Sequence, residues 1–512
     1  MPKFTLEIPI CLSRRYYILL SFAPDSYHFF AIFEESTVHM ELVNSINDAL
    51  WSYVITVLLV GAAIYFTVRG RGVQFRFLKD AIRIMAGRDR NPHKSTLEHP
   101  KKIGSFKAFS VSLASRVGTG NLAGVASAMF VGGPGAVFWM WVMALFGSAT
   151  AFIESTLAQL YKKRGADSFY GGPAYYMETG LGKTWMSVLF SIFMILSFSL
   201  AQSMLQAQTI ITALNDAFSI SPLILAVLIG LLLALIIFGG IHRISNVVSY
   251  MVPFMALGYI ILALGIMIWN APQLPHMFAT IFKSAFGMEQ IGGGMVGAAI
   301  QQGVKRGLFS NEAGEGSAPN AAAIADTSHP VKQGLMQALG VFVDTILICS
   351  CTAFIIMISG MLGCGEDGIL LTSRSFEAVI GPAGRWFLTL AIFLFAFTTI
   401  IGNYYYGETN VRYLAGKFSP KAEKTSITVY RLAAISVIFV AAFISLQTAW
   451  AFVDLSMGLI TLVNVSAILM LGKKAFALLK DYSEQRKAGI KDPVFNKHNF
   501  TEEDPEKLEG WN

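Results

Sequence analysis

Apolar residues run along this chain in long blocks separated by short polar loops. A block of about 18 or more apolar residues is long enough to cross a bilayer as a helix. Eleven spans are predicted, at about 49–69, 108–131, 134–158, 185–214, 222–239, 246–269, 288–304, 334–361, 384–410, 427–447 and 449–472. The second span departs from the pattern. Its stretch Ser115–Gly135, SRVGTGNLAGVASAMFVGGPG, opens with Gly118 and Gly120 around Thr119, followed by Asn121. Glycine costs about 1 kcal/mol against alanine inside a helix. In hydrocarbon, an unwound backbone is tolerated only where it is buried in protein or lines a polar cavity. A helix broken at membrane depth is a feature of secondary transporters, which hold a polar solute and its coupling ion there.

A second glycine cluster, IGGGMVGAA, lies five spans later. Five is odd, so the two glycine-rich spans cross the membrane in opposite directions. Matching interruptions in two halves mark a transporter site. The competing explanation is close helix packing through small residues. The expected organisation is an extension at 1–39, an extra span with a basic loop at 40–107, repeats at 108–270 and 271–475, and a tail at 476–512.

Composition and charge agree with the spans. The chain has 512 residues, 54% hydrophobic and 14% charged, against roughly 25% charged in soluble domains. The net charge of +7 does not indicate nucleic acid, because the basic residues sit in loops on one side of the spans. The loop after the first span is heavily basic, and Lys162–Arg164, His242, Arg243, Lys305, Arg306, Arg412 and Lys417 fall on the same side. The positive-inside rule then puts the amino terminus outside and the carboxyl terminus in the cytoplasm. Met40 precedes the first span closely, and residues 1–39 read as an extension from a wrong start codon or a flexible arm. The tail after Lys473 reads as a surface helix running into disorder. Cys11, Cys349, Cys351 and Cys364 have no metal or disulfide spacing and read as packing residues.

The chemistry expected at the breaks is that of a zwitterion. An amino acid cannot enter hydrocarbon with its carboxylate and ammonium unpaired. Free N–H groups at a half-helix N-terminus attract the carboxylate, and free carbonyls at a half-helix C-terminus accept the ammonium or a hard cation. Thr119, Gly120 and Asn121 precede a half-helix and are the expected carboxylate partners. Gln202 and Gln206 share a helix face and offer amides to the same cavity. Thr398 and Thr399 offer hydroxyls for sodium, or bond back to the preceding turn. Arg116 is an inner gate paired with an acid, or an anchor near the headgroups. Glu154, Asp344 and Asp454 are in-span acids that a proton-coupled mechanism would need. A membrane enzyme would need His, Cys, Asp or Glu clustered at membrane depth, and the histidines fall in loops or arms. Paired breaks in one chain argue against a channel.

The stretches SRVGTGNLAGVASAMFVGGPGAVFWMW (115–141), GGPAYYME (171–178), KRGLFSNEAGEGSAPNAAA (305–323) and NYYYGE (403–408) resemble the alanine/glycine:cation symporter family of the amino acid–polyamine–organocation superfamily. The resemblance covers roughly residues 45–475. It implies an all-α polytopic membrane protein with a leucine-transporter-type five-plus-five inverted repeat and one extra N-terminal transmembrane helix. It implies sodium-driven uptake of alanine or glycine in the cytoplasmic membrane of a prokaryote, with some members accepting D-alanine or glutamine, and no cofactor. It assigns Thr119, Gly120, Asn121, Gln206 and the sixth-core-helix residues Gly292, Gly293, Gly294 and Met295 to the amino acid. It assigns carbonyls around Ser115 and Gly118, with the Thr398 and Thr399 hydroxyls, to the cation. One departure matters: some alanine- and glycine-preferring members carry tryptophan where this chain has Asn403. Asn403 and Gly294 leave room for a larger side chain, so glutamine stays open as a substrate. Glu312 and Glu315 are expected to pair with Lys305 or Arg306.

Overall fold

The computed structural model describes residues 40–88, 103–165, 168–287 and 293–511. The extension 1–39 and much of the basic loop lie outside the described residues. The protein is all-α and polytopic, apart from a two-residue antiparallel ribbon that pairs Lys163 with Tyr170. Eight helices among the described residues are long and apolar enough to cross a membrane: α1 (Met40–Arg69), α4 (Gly135–Leu160), α5 (Thr184–Phe218), α7 (Gly240–Trp269), α10 (Pro330–Ser359), α12 (Pro382–Gly416), α13 (Pro420–Ala441) and α14 (Leu446–Lys487). Shorter helices complete the order: α2 (Ser105–Arg116), α3 (Val125–Gly132), α6 (Pro222–Ile237), α8 (Leu274–Ala285), α9 (Gly293–Asn311) and α11 (Gly368–Ile380). The predicted spans overlap these helices or the α2–α3 pair, the span at 288–304 from residue 293 onward.

The second predicted span is broken where the glycines fall. α2 stops at Arg116, Val117 leaves helical geometry at φ −81° and ψ 86°, and the chain re-enters through a wide turn at Gly120–Gly124 that leads into α3. Wide turns of this kind also interrupt α5 at Ile195–Gln202 and α10 at Phe342–Cys349. Such turns cost helix hydrogen bonding and gather at functional positions. Here they carry Gln202 and Asp344. α4 packs against α9 and α10, while α12 lies along α2 and α5, so the break is enclosed on every side. Thr119, Gly120 and Asn121 are fully buried.

In the second half, α9 begins at Gly293, within the predicted glycine cluster. Gly292 lies outside the described residues; Gly293, Gly294 and Met295 open α9.

α1 is tied to α14 by side chains. Asn47 donates to the Ala451 carbonyl at 3.0 Å and Trp51 to the Asp454 carbonyl at 3.0 Å. One expectation fails nearby. Lys305 and Arg306 do not pair with Glu312 or Glu315: both reach Asp454, each at 2.8 Å. α9 runs straight through residues 305–306, so its cations point to α14 while the glutamates lie beyond the helix end. Asp454 is therefore the centre of a structural ion pair.

The tail also departs from expectation. α14 continues to Lys487, and residues 488–511 fold back over the loop ends. The Phe495 N–H donates to the Ser328 carbonyl at 2.8 Å, and the Trp511 indole to the Gln159 carbonyl at 2.9 Å. Phe495, Phe500, Leu508 and Trp511 are buried. Four scattered apolar residues give no helical period, yet they fill one surface hollow together.

Candidate functional site

The break places three kinds of polar group around Gly118. First, oxygens converge at the end of α2. The Thr399 hydroxyl on α12 lies 2.8 Å from the Ala114 carbonyl, 3.4 Å from the Val117 carbonyl and 3.0 Å from the Phe395 carbonyl. The Ala114 and Val117 carbonyls are free for this because the helix ends there. The Phe395 contact is a back-bond within α12; the two carbonyls from α2 and the hydroxyl are oxygens of the kind that suit a hard monovalent cation. Thr398 is not part of this set. Its hydroxyl bonds to the Leu394 and Phe395 carbonyls of its own helix, at 3.0 and 2.9 Å, and touches the Met255 sulfur at 3.5 Å. Neighbouring residues on a helix point about 100° apart, and in this structure it is the Thr399 hydroxyl that meets the α2 carbonyls. Ser115 and Gly118 lie in the same turn but present other groups.

Second, Gln206 on α5 meets the opening of the half-helix. Its Oε1 accepts from the Thr119 N–H at 2.9 Å and the Thr119 hydroxyl at 2.5 Å. Gly118 has no room for a side chain: a Cβ there would sit 3.0 Å from Gln206 Oε1 and 3.1 Å from Thr399 Cβ. Gly120 packs on α9, where a Cβ would meet Ser310 Cα at 3.1 Å.

Third, Asn121 joins the two halves. Its Oδ1 accepts from the Gly118 N–H at 2.9 Å. Its Nδ2 donates to Asp344 Oδ1 at 2.6 Å and lies 3.2 Å from the Ser310 hydroxyl. Asp344 Oδ2 accepts from the Ser310 and Thr345 hydroxyls at 2.6 and 2.9 Å. The sequence marks Asp344 only as an in-span acid, 223 positions from Asn121. Its proximity depends on how α10 docks, although an acid inside an apolar span was itself a signal.

Asn403 lies fully buried on α12. The Ser115 hydroxyl lies 2.7 Å from Asn403 Oδ1 and 2.5 Å from Glu312 Oε1. The Asn403 Nδ2 has no hydrogen-bond partner among the described residues. Arg116 is also buried, at 1% exposure, so it is enclosed in protein rather than open at the surface. One Nη donates to the Gln337 carbonyl at 3.1 Å.

The loop after α9 closes the site. Glu312, Gly314 and Gly316 take positive φ values of 55°, 104° and 78°. Glu154 on α4 receives the Gly314 and Gly316 N–H groups at 3.4 and 3.2 Å and the Asn464 amide at 2.9 Å. Sequence reasoning gave Glu154 only a possible proton role and missed that it clamps this loop. The glycines, which alone adopt such turns freely, were the available signal.

Comparison with known proteins places the chain in a family. The sodium:alanine symporter family model matches residues 36–497. The chain is 46% identical over 461 residues to the probable sodium/glutamine symporter GlnT of Bacillus subtilis (strain 168), covering 89% of this chain and 93% of the relative. It is 45% identical to the amino-acid carrier protein AlsT of the same organism, covering 90% and 95%. It is 37% identical to the sodium/alanine symporter AgcS of Methanococcus maripaludis, covering 88% and 98%. Crystal structures of the Eremococcus coleocola manganese transporter align with a TM-score of 0.45 at 13% identity, covering 79% of this chain and 86% of theirs. This chain belongs to the sodium:alanine symporter family and is a multi-pass membrane protein.

Proposed function

We propose that this member of the sodium:alanine symporter family takes up a small neutral amino acid, alanine or glycine, with sodium by alternating access across the cytoplasmic membrane of a prokaryote. Its amino terminus is outside and its carboxyl terminus inside. The observation that carries the reading is the convergence of the Thr399 hydroxyl with the Ala114 and Val117 carbonyls at 2.8 and 3.4 Å, at a helix break that also meets the Gln206 and Asn121 amides. Ala114, Val117 and Thr399 would hold sodium, with Ser115 and Gly118 fixing the turn. Thr119, Gly120, Asn121 and Gln206 would bind the amino acid from one half. Gly292, Gly293, Gly294 and Met295 would do so from the other. Sodium crossing the membrane potential supplies about 2.3 kcal/mol per 100 mV. Arg116 acts on the inner side as part of the gate.

A second substrate, glutamine, is favoured by Asn403. An amide nitrogen that is buried and without a partner among the described residues suits a carboxamide side chain, and one relative carries glutamine in its name. The test is uptake of labelled alanine, glycine and glutamine into proteoliposomes with and without an inward sodium gradient. Saturable, sodium-dependent accumulation is expected. Equal uptake without sodium overturns the reading.

A further inference from the structure

Four acids lie buried around the break and its closing loop, and three are fully provided with donors. Glu154 holds two backbone N–H groups and an amide. Glu312 has the Ser115 and Ser317 hydroxyls at 2.5 and 2.6 Å. Asp344 has the Asn121 amide and two hydroxyls. Glu315 is different. It is 0% exposed, and neither carboxylate oxygen has a hydrogen-bond partner among the described residues. The groups that face it are Glu312 on its own loop, Glu154 on α4, Gln202 on α5 and Arg116 on α2. The Tyr406 hydroxyl on α12 is buried near Glu312, and the Tyr176 hydroxyl donates to Asn464, whose amide holds Glu154. Two of its neighbours are carboxylates, so burial and repulsion act against an ionised Glu315, and the Gln202 amide and the Arg116 cation only partly offset them. A buried charge in that condition is not sustained.

Three polar nitrogens around it are also unpartnered among the described residues: Arg116 Nε, Arg116 Nη2 and Gln202 Nε2. The Gln202 amide lies close enough to act on the Glu315 carboxyl, while Arg116 reaches it through its charge alone.

We propose that Glu315 is a proton-binding site of the transport cycle. In the conformation described, its carboxyl is neutral. When the Glu312–Ser317 loop moves and admits water, the carboxyl gives its proton to water and the carboxylate closes on the free edge of Arg116. The reverse movement takes a proton back. This rests on the transport reading above and adds to it a pH-linked step at a named residue.

The test is sodium-driven uptake in proteoliposomes over a pH series, for wild type, Glu315→Gln and Glu315→Asp. One linked proton shifts apparent affinity by up to about tenfold per pH unit. Wild-type uptake is expected to fall toward alkaline pH. Glu315→Gln, permanently neutral, is expected to keep its uptake there, with a flattened profile. Glu315→Asp keeps an acid and is expected to give a displaced profile rather than a flat one. A wild-type profile in either variant overturns the proposal while leaving sodium symport standing. Absence of sodium-driven uptake in wild type overturns symport itself.

Discussion

The Asn121 amide nitrogen donates to the Asp344 carboxylate at 2.6 Å, across 223 positions of sequence. The same amide's oxygen holds the Gly118 N–H. The bond therefore fixes which way the Asn121 amide points and ties the broken helix to α10. A hydrogen bond to a charged group contributes about 1.5–3 kcal/mol. Asp344→Asn sets two amides face to face and is expected to lower sodium-driven uptake at least about tenfold. Adding Asn121→Asp restores a donor–acceptor pair and is expected to recover part of the loss. Uptake by the double variant no better than by the single variants would show that Asp344 does not act through Asn121.

Thr398 and Thr399 are adjacent but do different things. Thr399→Ala removes the side-chain oxygen that meets the Ala114 carbonyl. The sodium concentration for half-maximal uptake is expected to rise about tenfold or more. Thr398→Ala removes a hydroxyl bonded to its own helix and is expected to leave that value within about twofold, because such back-bonds add little. Sodium titrations of the two variants side by side are the check.

Gly118→Ala is expected to abolish transport while the protein still folds. A methyl there would press on Gln206 Oε1 at 3.0 Å and Thr399 Cβ at 3.1 Å, contacts that belong to both the amide and the oxygen set. Overpacking of this kind costs about 1–3 kcal/mol. Uptake with size-exclusion analysis of the purified protein separates lost function from lost fold.

Asn403 bears on selectivity. Asn403→Trp fills the space beside Ser115 and removes the unpartnered amide nitrogen. Competition by glutamine against labelled alanine is expected to weaken, while competition by glycine persists. An unchanged competition profile counts against a pocket wall at this position.

The folded-back tail has its own pH dependence. Lys162 is buried under Trp511 and Phe169, with its Nζ 4.2 Å from each ring, and donates to the Ala325 carbonyl at 3.1 Å. Burial pushes its ammonium down to about 7 from the usual 10.5, partly offset by Asp326. Undocking the tail exposes Lys162, which then takes up a proton between these two values. Docking is therefore expected to strengthen as pH rises through that window, by about 1.4 kcal/mol per unit, and to be flat below it. Proteolysis of residues 488–511 across that range, with Lys162→Met as the pH-insensitive control, measures it.

The sequence by itself determined that the chain crosses a membrane many times, where the spans fall and which span is broken. These follow from local physics: apolar length sets a span, and clustered glycine beside a polar residue unwinds a helix wherever the rest of the chain lies. It also placed polar candidates on helix faces, because helical spacing is local. Only the tertiary structure decided which of two adjacent threonines faces the break, that Asp344 reaches Asn121, that Lys305 and Arg306 are held by Asp454, and that the tail docks. Those are questions of helix rotation and of partners far apart in sequence. The composition of an apolar helix is nearly the same all round, so its rotation is set by the helices it packs against. The glycine-rich loop shows the division within one segment. Its turns were legible from its glycines, while the glutamate that clamps it lies on α4, about 160 positions earlier.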